Sequence, residues 1–511
     1  MIEINKKKIA FKEYENVQGV LFTQNIGEWI PKNHLVRVVD DVIEKIDISP
    51  IIDLYKGGGR AAYHPRMMLK VIIYAYCEKI YSCRAIEKAL KENVPFIWLS
   101  GYQTPDFRSI NNFRKRLKPV IKKIFFKVIK LLIKNKYIKF ENYFLDGTKV
   151  EANANKYTFV WKNATKKFKE KLLIKINELF SEIENINKSE ELKSKLKSVI
   201  SNNDKTEVKL TEVKKIIDEE LTKEPDKKLK KISKKIETDY LPKLNKYENY
   251  ENILGNRNSF SKTDPDATFM RMKDDHMQNG QLKAGYNVQI GTENQFILNY
   301  NVHQKPGDTT TLIPHLESLK ENFDVKPEKV IADAGYGSEE NYEYLNNEEI
   351  DAYVKYNTFR IENTKKYKKD IFKKENFKYH VDKNEYECPN GKLLKYKYTK
   401  QSKSDTGYLS ELDIYECEDC SDCDLKSLCT KSEYNRKIQI NKRLDELKLR
   451  AKEQLKSEIG VKLRKLRCVE VEPVFGHIKS NRKFNRFMLR GIDKVSLEWG
   501  ILSLAHNCRK L

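Results

Sequence analysis

Phe140-Glu-Asn-Tyr-Phe-Leu-Asp-Gly-Thr-Lys-Val-Glu-Ala152 is where this chain changes character. Aromatic and β-branched residues crowd the stretch, as a pleated, half-buried strand requires, and an acid, Asp146, stands in its middle. Before it, residues from about 30 to 135 read as helices. Pro65 opens a segment with Met67, Met68, Val71, Ile72 and Ala75 on one side, the spacing of a buried helical face. Ser82 can cap the next helix, which carries Ile86 and Leu90. A third helix, begun after Pro105, gathers Arg108, Arg114, Lys115 and Arg116. Short cationic helices of this kind could form a nucleic-acid-binding module of helix-turn-helix type, although an ordinary bundle with a charged exterior has the same pattern.

After the strand the chain departs and returns. Residues from about 162 to 250 are rich in Lys, Glu and Asn. Within them Leu172, Ile176, Leu179, Ile183 and Ile186 follow steps of four and three, the seam of a helical hairpin or coiled coil. Leu210, Val213 and Ile217, then Leu229, Ile232 and Ile236, could supply returning helices. Strand signals resume at Leu282–Ile290 and Phe296–Val302, with Gly291-Thr-Glu-Asn as the expected turn. A helix is expected over Thr309–Asn322, a buried strand over Lys329–Gly337, a short helix over Asn341–Leu345 and another strand over Asp351–Tyr356. Residues from about 358 to 435 form a polar, tyrosine-rich insert with cysteines, and Asn441–Leu466 reads as one long cationic helix. This order predicts an α/β fold, a mixed sheet with helices on its faces.

With 98 Lys and Arg against 74 Asp and Glu among 511 residues, the chain carries a net charge of +24, which favours a polyanionic partner such as nucleic acid. A basic membrane-surface protein would want a lipidation site or a long apolar segment. The most apolar run, Ile121 to Ile133, is broken by Lys122, Lys123, Lys127 and Lys130 and is expected to be a core helix. Met1-Ile-Glu-Ile-Asn-Lys-Lys-Lys8 lacks the apolar core of a secretory signal, so the expectation is a cytoplasmic, nucleoid-associated protein with no membrane partner.

Three acids stand at telling places. Asp146 is in the first strand, Asp333 ends a later one, and Glu472 lies in Arg467-Cys-Val-Glu-Val-Glu-Pro-Val-Phe-Gly-His-Ile-Lys479. Pro473 suits a first helical turn, and Glu472 and Lys479, two α-turns apart, can share a face. Active sites of open α/β sheets gather at strand C-termini. Acids meeting there need a cation, and oxygen ligands suit Mg²⁺ or Mn²⁺. Two such ions could activate a water or hydroxyl and steady the leaving oxygen of a phosphodiester. Each acid also has a plain reading: Asp146-Gly147 is a turn dipeptide, Asp333 could simply end a strand, and Glu470 could replace Glu472. The tail Lys479-Ser-Asn-Arg-Lys-Phe-Asn-Arg-Phe-Met-Leu-Arg490 interleaves cations with aromatics as a phosphate-binding surface would.

These motifs resemble a known family. Tyr63-His-Pro-Arg-Met-Met-Leu-Lys70 and Phe107-Arg-Ser-Ile-Asn-Asn-Phe-Arg114 resemble its helical module. Leu145-Asp-Gly-Thr148, Thr263-Asp-Pro-Asp-Ala267, Gly285-Tyr-Asn-Val-Gln289, Ala332-Asp-Ala-Gly-Tyr336, Val471-Glu-Pro-Val-Phe-Gly-His-Ile-Lys479 and Asn485-Arg-Phe-Met-Leu-Arg-Gly491 resemble its core. The family is that of bacterial insertion-sequence transposases of the DDE class, in the branch related to the IS-four and IS-five groups that carries a cysteine-containing insert. The resemblance implies a ribonuclease-H-like catalytic domain with Asp146, Asp333 and Glu472 as ligands of two Mg²⁺ or Mn²⁺ ions. It implies Lys479 as a contact to the terminal phosphate, and double-stranded DNA, transposon ends and target, as the partner of a homodimer. The family's last motif reads Tyr-x2-Arg-x3-Glu-x6-Lys. Here Lys465 stands where Tyr would be and Cys468 where Arg would be, so Arg467, one residue early, is the arginine that could reach a phosphate. Arg482, Lys483, Arg486, Arg490, Arg114 and Arg116 complete the expected DNA-binding set. The expected division is an N-terminal helical DNA-binding domain (1–138), a catalytic domain (139–161, 259–357 and 441–511), a helical insertion (162–258) and a cysteine-containing insertion (358–440).

Cys417-x2-Cys420-x2-Cys423-x5-Cys429, with Cys388 upstream, has ligand-like spacing. Four thiolates suit tetrahedral zinc; an iron–sulfur cluster or metal-free thiols are the alternatives, and five candidates for four positions leave one unassigned. His34, His64, His276, His303 and His477 have no ligand spacing. The expected activity is recognition of terminal inverted repeats followed by DNA cleavage and strand transfer. A catalytically inactive DNA-binding descendant and a nuclease without strand transfer are the competing expectations.

Overall fold

In the computed structural model, residues 25–55, 61–184, 190–202, 205–272, 280–323 and 325–511 are described; Ile186 and His276 lie outside them. The stretch around Asp146 forms β1 (Asn142–Glu151), the central strand of a mixed sheet. A small pair follows, β2 (Phe159–Trp161) with β3 (Ser259–Ser261). Then come β4 (Thr268–Arg271), β5 (Leu282–Glu293), β6 (Phe296–His303), β7 (Lys329–Ala332) and β8 (Asp351–Val354). One edge of β1 pairs antiparallel with β5, while β7 lies parallel on the other edge with β8 parallel beyond it. β6 and β4 pair with successive parts of β5. Parallel neighbours require crossovers, and the helices Leu312–Phe323 and Glu339–Asn347 supply them. This mixed α/β sheet is consistent with the ribonuclease-H-like expectation.

Local chemistry moved two expected boundaries. The β5–β6 turn is Asn294-Gln295, both with positive φ (52° and 63°), the two-residue turn that matches strand twist. Gly291 stays inside β5 because Tyr143 lies against it, where a Cβ would sit 1.9 Å from the ring. The single helix expected over Asn441–Leu466 is two, Lys442–Lys456 and Glu458–Glu470. Ser457 breaks it, its hydroxyl capping the Gly460 N–H at 3.0 Å. Gly460 in turn presses so closely on the preceding helix that a Cβ would meet the Gln454 carbonyl at 2.0 Å.

Helix α1 (Pro65–Cys77) is buried on all sides from Met68 to Cys77, not on one face. The cause is the C-terminal helix. It packs on α1 and on β6, and is itself buried nearly throughout from Val495 to Cys508. The N-terminal helices, the sheet and the C-terminal helix therefore share one continuous core. Ile121–Lys134 is a core helix as expected, with Phe125 edge-on to Tyr300. Among the described residues no helix is long and apolar enough to cross a membrane. The helices between β2 and β3 have a core of their own, joining Leu172, Ile176, Leu179 and Ile183 to Leu210, Val213, Ile217, Leu229, Ile232 and Ile236.

The cysteine-bearing segment folds as a five-stranded antiparallel sheet: β9 (Lys378–His380), β10 (Glu385–Glu387), β11 (Leu393–Lys403), β12 (Leu409–Cys417) and β13 (Lys437–Ile440). Its small core includes Phe377, Leu394, Tyr415, Cys417, Cys420 and Ile438.

Burial of a histidine gives a pH prediction. Burial pushes His506 down to about 4, against an ordinary value of 6.5, with a hydrogen bond to the Gln295 carbonyl opposing. The folded state therefore resists a proton that the unfolded chain accepts. Stability should be full above pH 6.5 and fall as the pH drops from there toward 4. Urea midpoints at pH 7 and pH 5 measure this, and His506→Gln should show a smaller difference between the two than wild type.

Candidate active site

Strand register brings the first two acids level. β1 and β7 pair Phe144 with Ile331, so two residues on, Asp146 and Asp333 stand side by side at the C-terminal end of β7. Asp146 is 5% exposed. Asp333 caps the short turn Ala334–Tyr336, its Oδ1 accepting the Gly335 N–H at 2.9 Å. The third acid arrives from the C-terminal region. Helix Glu458–Glu470 ends at Val471, and a short helix, Glu472–Gly476, begins at once with Pro473 in its first turn. Pro473 has no N–H to continue the ladder, so the break falls at Val471 and Glu472 opens the new helix with its carboxylate on Arg467. A π-turn, His477–Asn481, then carries Lys479, replacing the regular α-spacing expected between Glu472 and Lys479.

All three acids meet one guanidinium. Arg467 Nη2 lies 3.1 Å from Asp146 and 3.8 Å from Asp333, and Nη1 lies 3.2 Å from Glu472. The Arg467 side chain is only 9% exposed. This corrects its expected role: in this conformation it is a counter-ion buried among the acids and is not presented to a phosphate. Glu470 is no substitute for Glu472, because its carboxylate accepts the Gln295 N–H at 2.8 Å, away from the cluster. Among the described residues no three acids, thiols or histidines already stand in an arrangement that holds a metal ion. The donor chemistry fits one all the same. Three carboxylates converge where a cation already sits, and an all-oxygen set suits Mg²⁺ or Mn²⁺.

Beneath the acids lies a network that the sequence did not disclose. Asp308 Oδ1 accepts from Asn287 at 2.7 Å and Gln289 at 2.8 Å, and the Tyr336 hydroxyl donates to the Gln289 carbonyl oxygen. Gly147, next to Asp146, is a glycine because a Cβ would strike Gln289 at 2.2 Å and Asp308 at 2.8 Å. Asn287 and Gln289 stood in a quoted motif, but Gly307-Asp308 reads only as loop. Two other motif acids are anchors. Buried Asp264 accepts from Tyr286 and from the Gly491 N–H, and Asp266 accepts the Ile492 N–H, fixing the start of the C-terminal helix.

Beside the acids opens a cavity of about 700 Å³, lined by Asp146, Lys149, Glu472, Lys479 and Lys483 among others. Lys479 Nζ donates to the Lys149 carbonyl at 2.8 Å. Lys483 is exposed, with a positive φ of 54°. Arg486 and Arg490 are exposed and brace the end of β1 through the carbonyls of Ala152, Ala154 and Asn153. Arg116 is exposed and stacks over Tyr55 at 4.0 Å.

Two expected DNA contacts are internal instead. Arg482 is 2% exposed and donates to the carbonyls of Tyr76 and Cys77. Arg114 is 7% exposed beside Tyr76 and the fully buried Glu498. Both arginines satisfy groups that burial would otherwise leave uncompensated, and neither faces a ligand. Cys388, Cys417, Cys420, Cys423 and Cys429 line a separate cavity of about 20 Å³ in the insert.

Comparison with known families matches residues 387–511 to a family described as Transposase DDE domain, and residues 24–116 to one described as Transposase domain (DUF772). Neither curated proteins nor solved structures give a match. The first match contains Arg467, Glu472 and Lys479, and the second contains the α1 helix that packs against the C-terminal one. The matches to transposase families in both the N-terminal and the C-terminal parts of the chain indicate a DDE-type insertion-sequence transposase.

Proposed function

We propose that this transposase binds the terminal inverted repeats of its element, cuts DNA phosphodiester bonds there and joins the ends to target DNA, with Asp146, Asp333 and Glu472 as the catalytic acids of a ribonuclease-H-like domain. The observation that carries the reading is the meeting of those acids, from three distant segments, on the single guanidinium of Arg467 beside a lysine-lined cavity. The acids would hold two Mg²⁺ or Mn²⁺ ions, whose Lewis acidity helps a water or hydroxyl attack phosphorus and the leaving oxygen depart. Arg467 keeps the cluster assembled before DNA arrives and withdraws from it as positive charge enters. Lys479 and Lys483 hold the phosphate chain against the acids, and Arg486, Arg490 and Arg116 extend the basic surface. Pairing of two ends makes the working form a homodimer, acting in the cytoplasm on nucleoid DNA.

The test incubates the purified chain with Mg²⁺ and a DNA fragment carrying the element's ends, beside a target plasmid. Cleavage at the ends and joined products are expected. Binding without cleavage would make the protein an inactive descendant, and cleavage without joining would make it a nuclease. Binding should also weaken steeply between 50 and 200 mM salt, by roughly 10³-fold or more if six or more phosphates are contacted, because each contact releases counterions. A flat salt response would contradict an extended DNA interface.

A further inference from the structure

The function proposed above makes no use of the cysteines, yet five of them line one small cavity in the insert: Cys388, Cys417, Cys420, Cys423 and Cys429. None of them forms a disulfide. They come from separate parts of the segment. Cys388 lies in the turn between β10 and β11, which Gly391 closes with a φ of +73°, and Cys417 ends β12. The other three lie on the loop that leads to β13, a stretch with few apolar residues of its own. From that loop Cys420 reaches the small core of the sheet, while Leu428 is exposed.

The surroundings suit thiolates. Lys392, Lys426 and Arg436 line the same cavity, and cations lower the cost of a charged sulfur. The Arg436 backbone N–H donates to Cys420 Sγ and the Asn390 side-chain amide donates to Cys423 Sγ, each at 3.4 Å. Such donors support metal-bound sulfur. At about 20 Å³ the cavity has room for one small ion.

Geometry separates the fifth cysteine. Cys417 is the most buried of the five, 2% exposed at the end of β12, and its thiol donates to the Asp419 carbonyl at 3.8 Å, whereas the Cys420 and Cys423 sulfurs accept N–H donors as thiolates would.

We infer that Cys388, Cys420, Cys423 and Cys429 bind one Zn²⁺ ion as a structural four-thiolate site, with Cys417 outside it as a core residue. The thiols as they stand are not drawn into ligand geometry, and metal binding would supply that closure together with part of the folding free energy of the loop. The site lies apart from the three acids and does not depend on the reading of catalysis.

The full-length chain, purified without chelators, should carry one zinc per chain by elemental analysis. After exchange with Co²⁺ it should show the visible absorption of a tetrahedral thiolate site. Cys429→Ser and Cys423→Ser should lose the metal, while Cys417→Ser and Cys468→Ser should keep it, with circular dichroism reporting the fold of each. Absence of metal in wild type with no Co²⁺ spectrum, or iron with cluster absorption, would overturn the site. Loss of zinc from Cys417→Ser with retention in Cys429→Ser would overturn the assignment of ligands.

Discussion

Asp146→Asn and Asp333→Asn are each expected to slow end cleavage by on the order of 10³-fold or more while DNA binding stays within a few-fold of wild type. The magnitude follows from what a carboxylate does here. Replacing it with an amide removes a negative ligand without changing shape, and the transition-state charge stabilised through a bound cation is worth several kcal/mol, at about 1.4 kcal/mol per tenfold in rate. Binding should survive because Lys479, Lys483, Arg486 and Arg490 lie on other segments and are untouched. Glu472→Gln should follow the same pattern, whereas Glu470→Gln should cleave near the wild-type rate, since Glu470 holds the Gln295 N–H and not the cluster. Single-turnover cleavage beside a gel-shift titration separates the two effects. A variant of Asp146 or Asp333 that cleaves normally would remove that acid from the chemistry.

Arg467→Met should destabilise the metal-free protein by about 3 kcal/mol, the scale seen when one partner of a buried ion pair is deleted. Asp146 is buried and would lose the guanidinium that it shares with Asp333 and Glu472. The deficit should shrink when Mn²⁺ is added, because a divalent ion replaces the missing charge, and wild type should gain less from the same addition. Urea midpoints with chelator and with Mn²⁺ measure both quantities. An Arg467→Met chain as stable as wild type in chelator would show that the ion pairs contribute nothing. A deficit indifferent to Mn²⁺ would show that the acids do not take the ion.

Much of this site was legible because side-chain type and local pattern coincide. A strand-like run with an acid in its middle gave Asp146, a buried strand ending in glycine gave Asp333, and a proline at a helix start gave Glu472. What stayed hidden depends on contacts between distant segments. Arg114 and Arg482 read as surface cations because nothing local reveals that Glu498 is buried beside one and that the carbonyls ending α1 await the other. Arg467 looked like a displaced phosphate ligand, although it reaches all three acids. Asp308 gave no signal at all, since a Gly-Asp pair in a loop is ordinary until Asn287 and Gln289 are seen to hold it. The break at Ser457 was missed for the same reason: Gly460 is required by a close approach to Gln454 that helical periodicity does not record.

The most direct measurement is anomalous diffraction from a crystal of the protein soaked in Mn²⁺. Manganese density among Asp146, Asp333 and Glu472, with the Arg467 guanidinium displaced from between them, is the expected result. Manganese bound elsewhere, or no manganese with Arg467 still bridging the three carboxylates, would contradict the account.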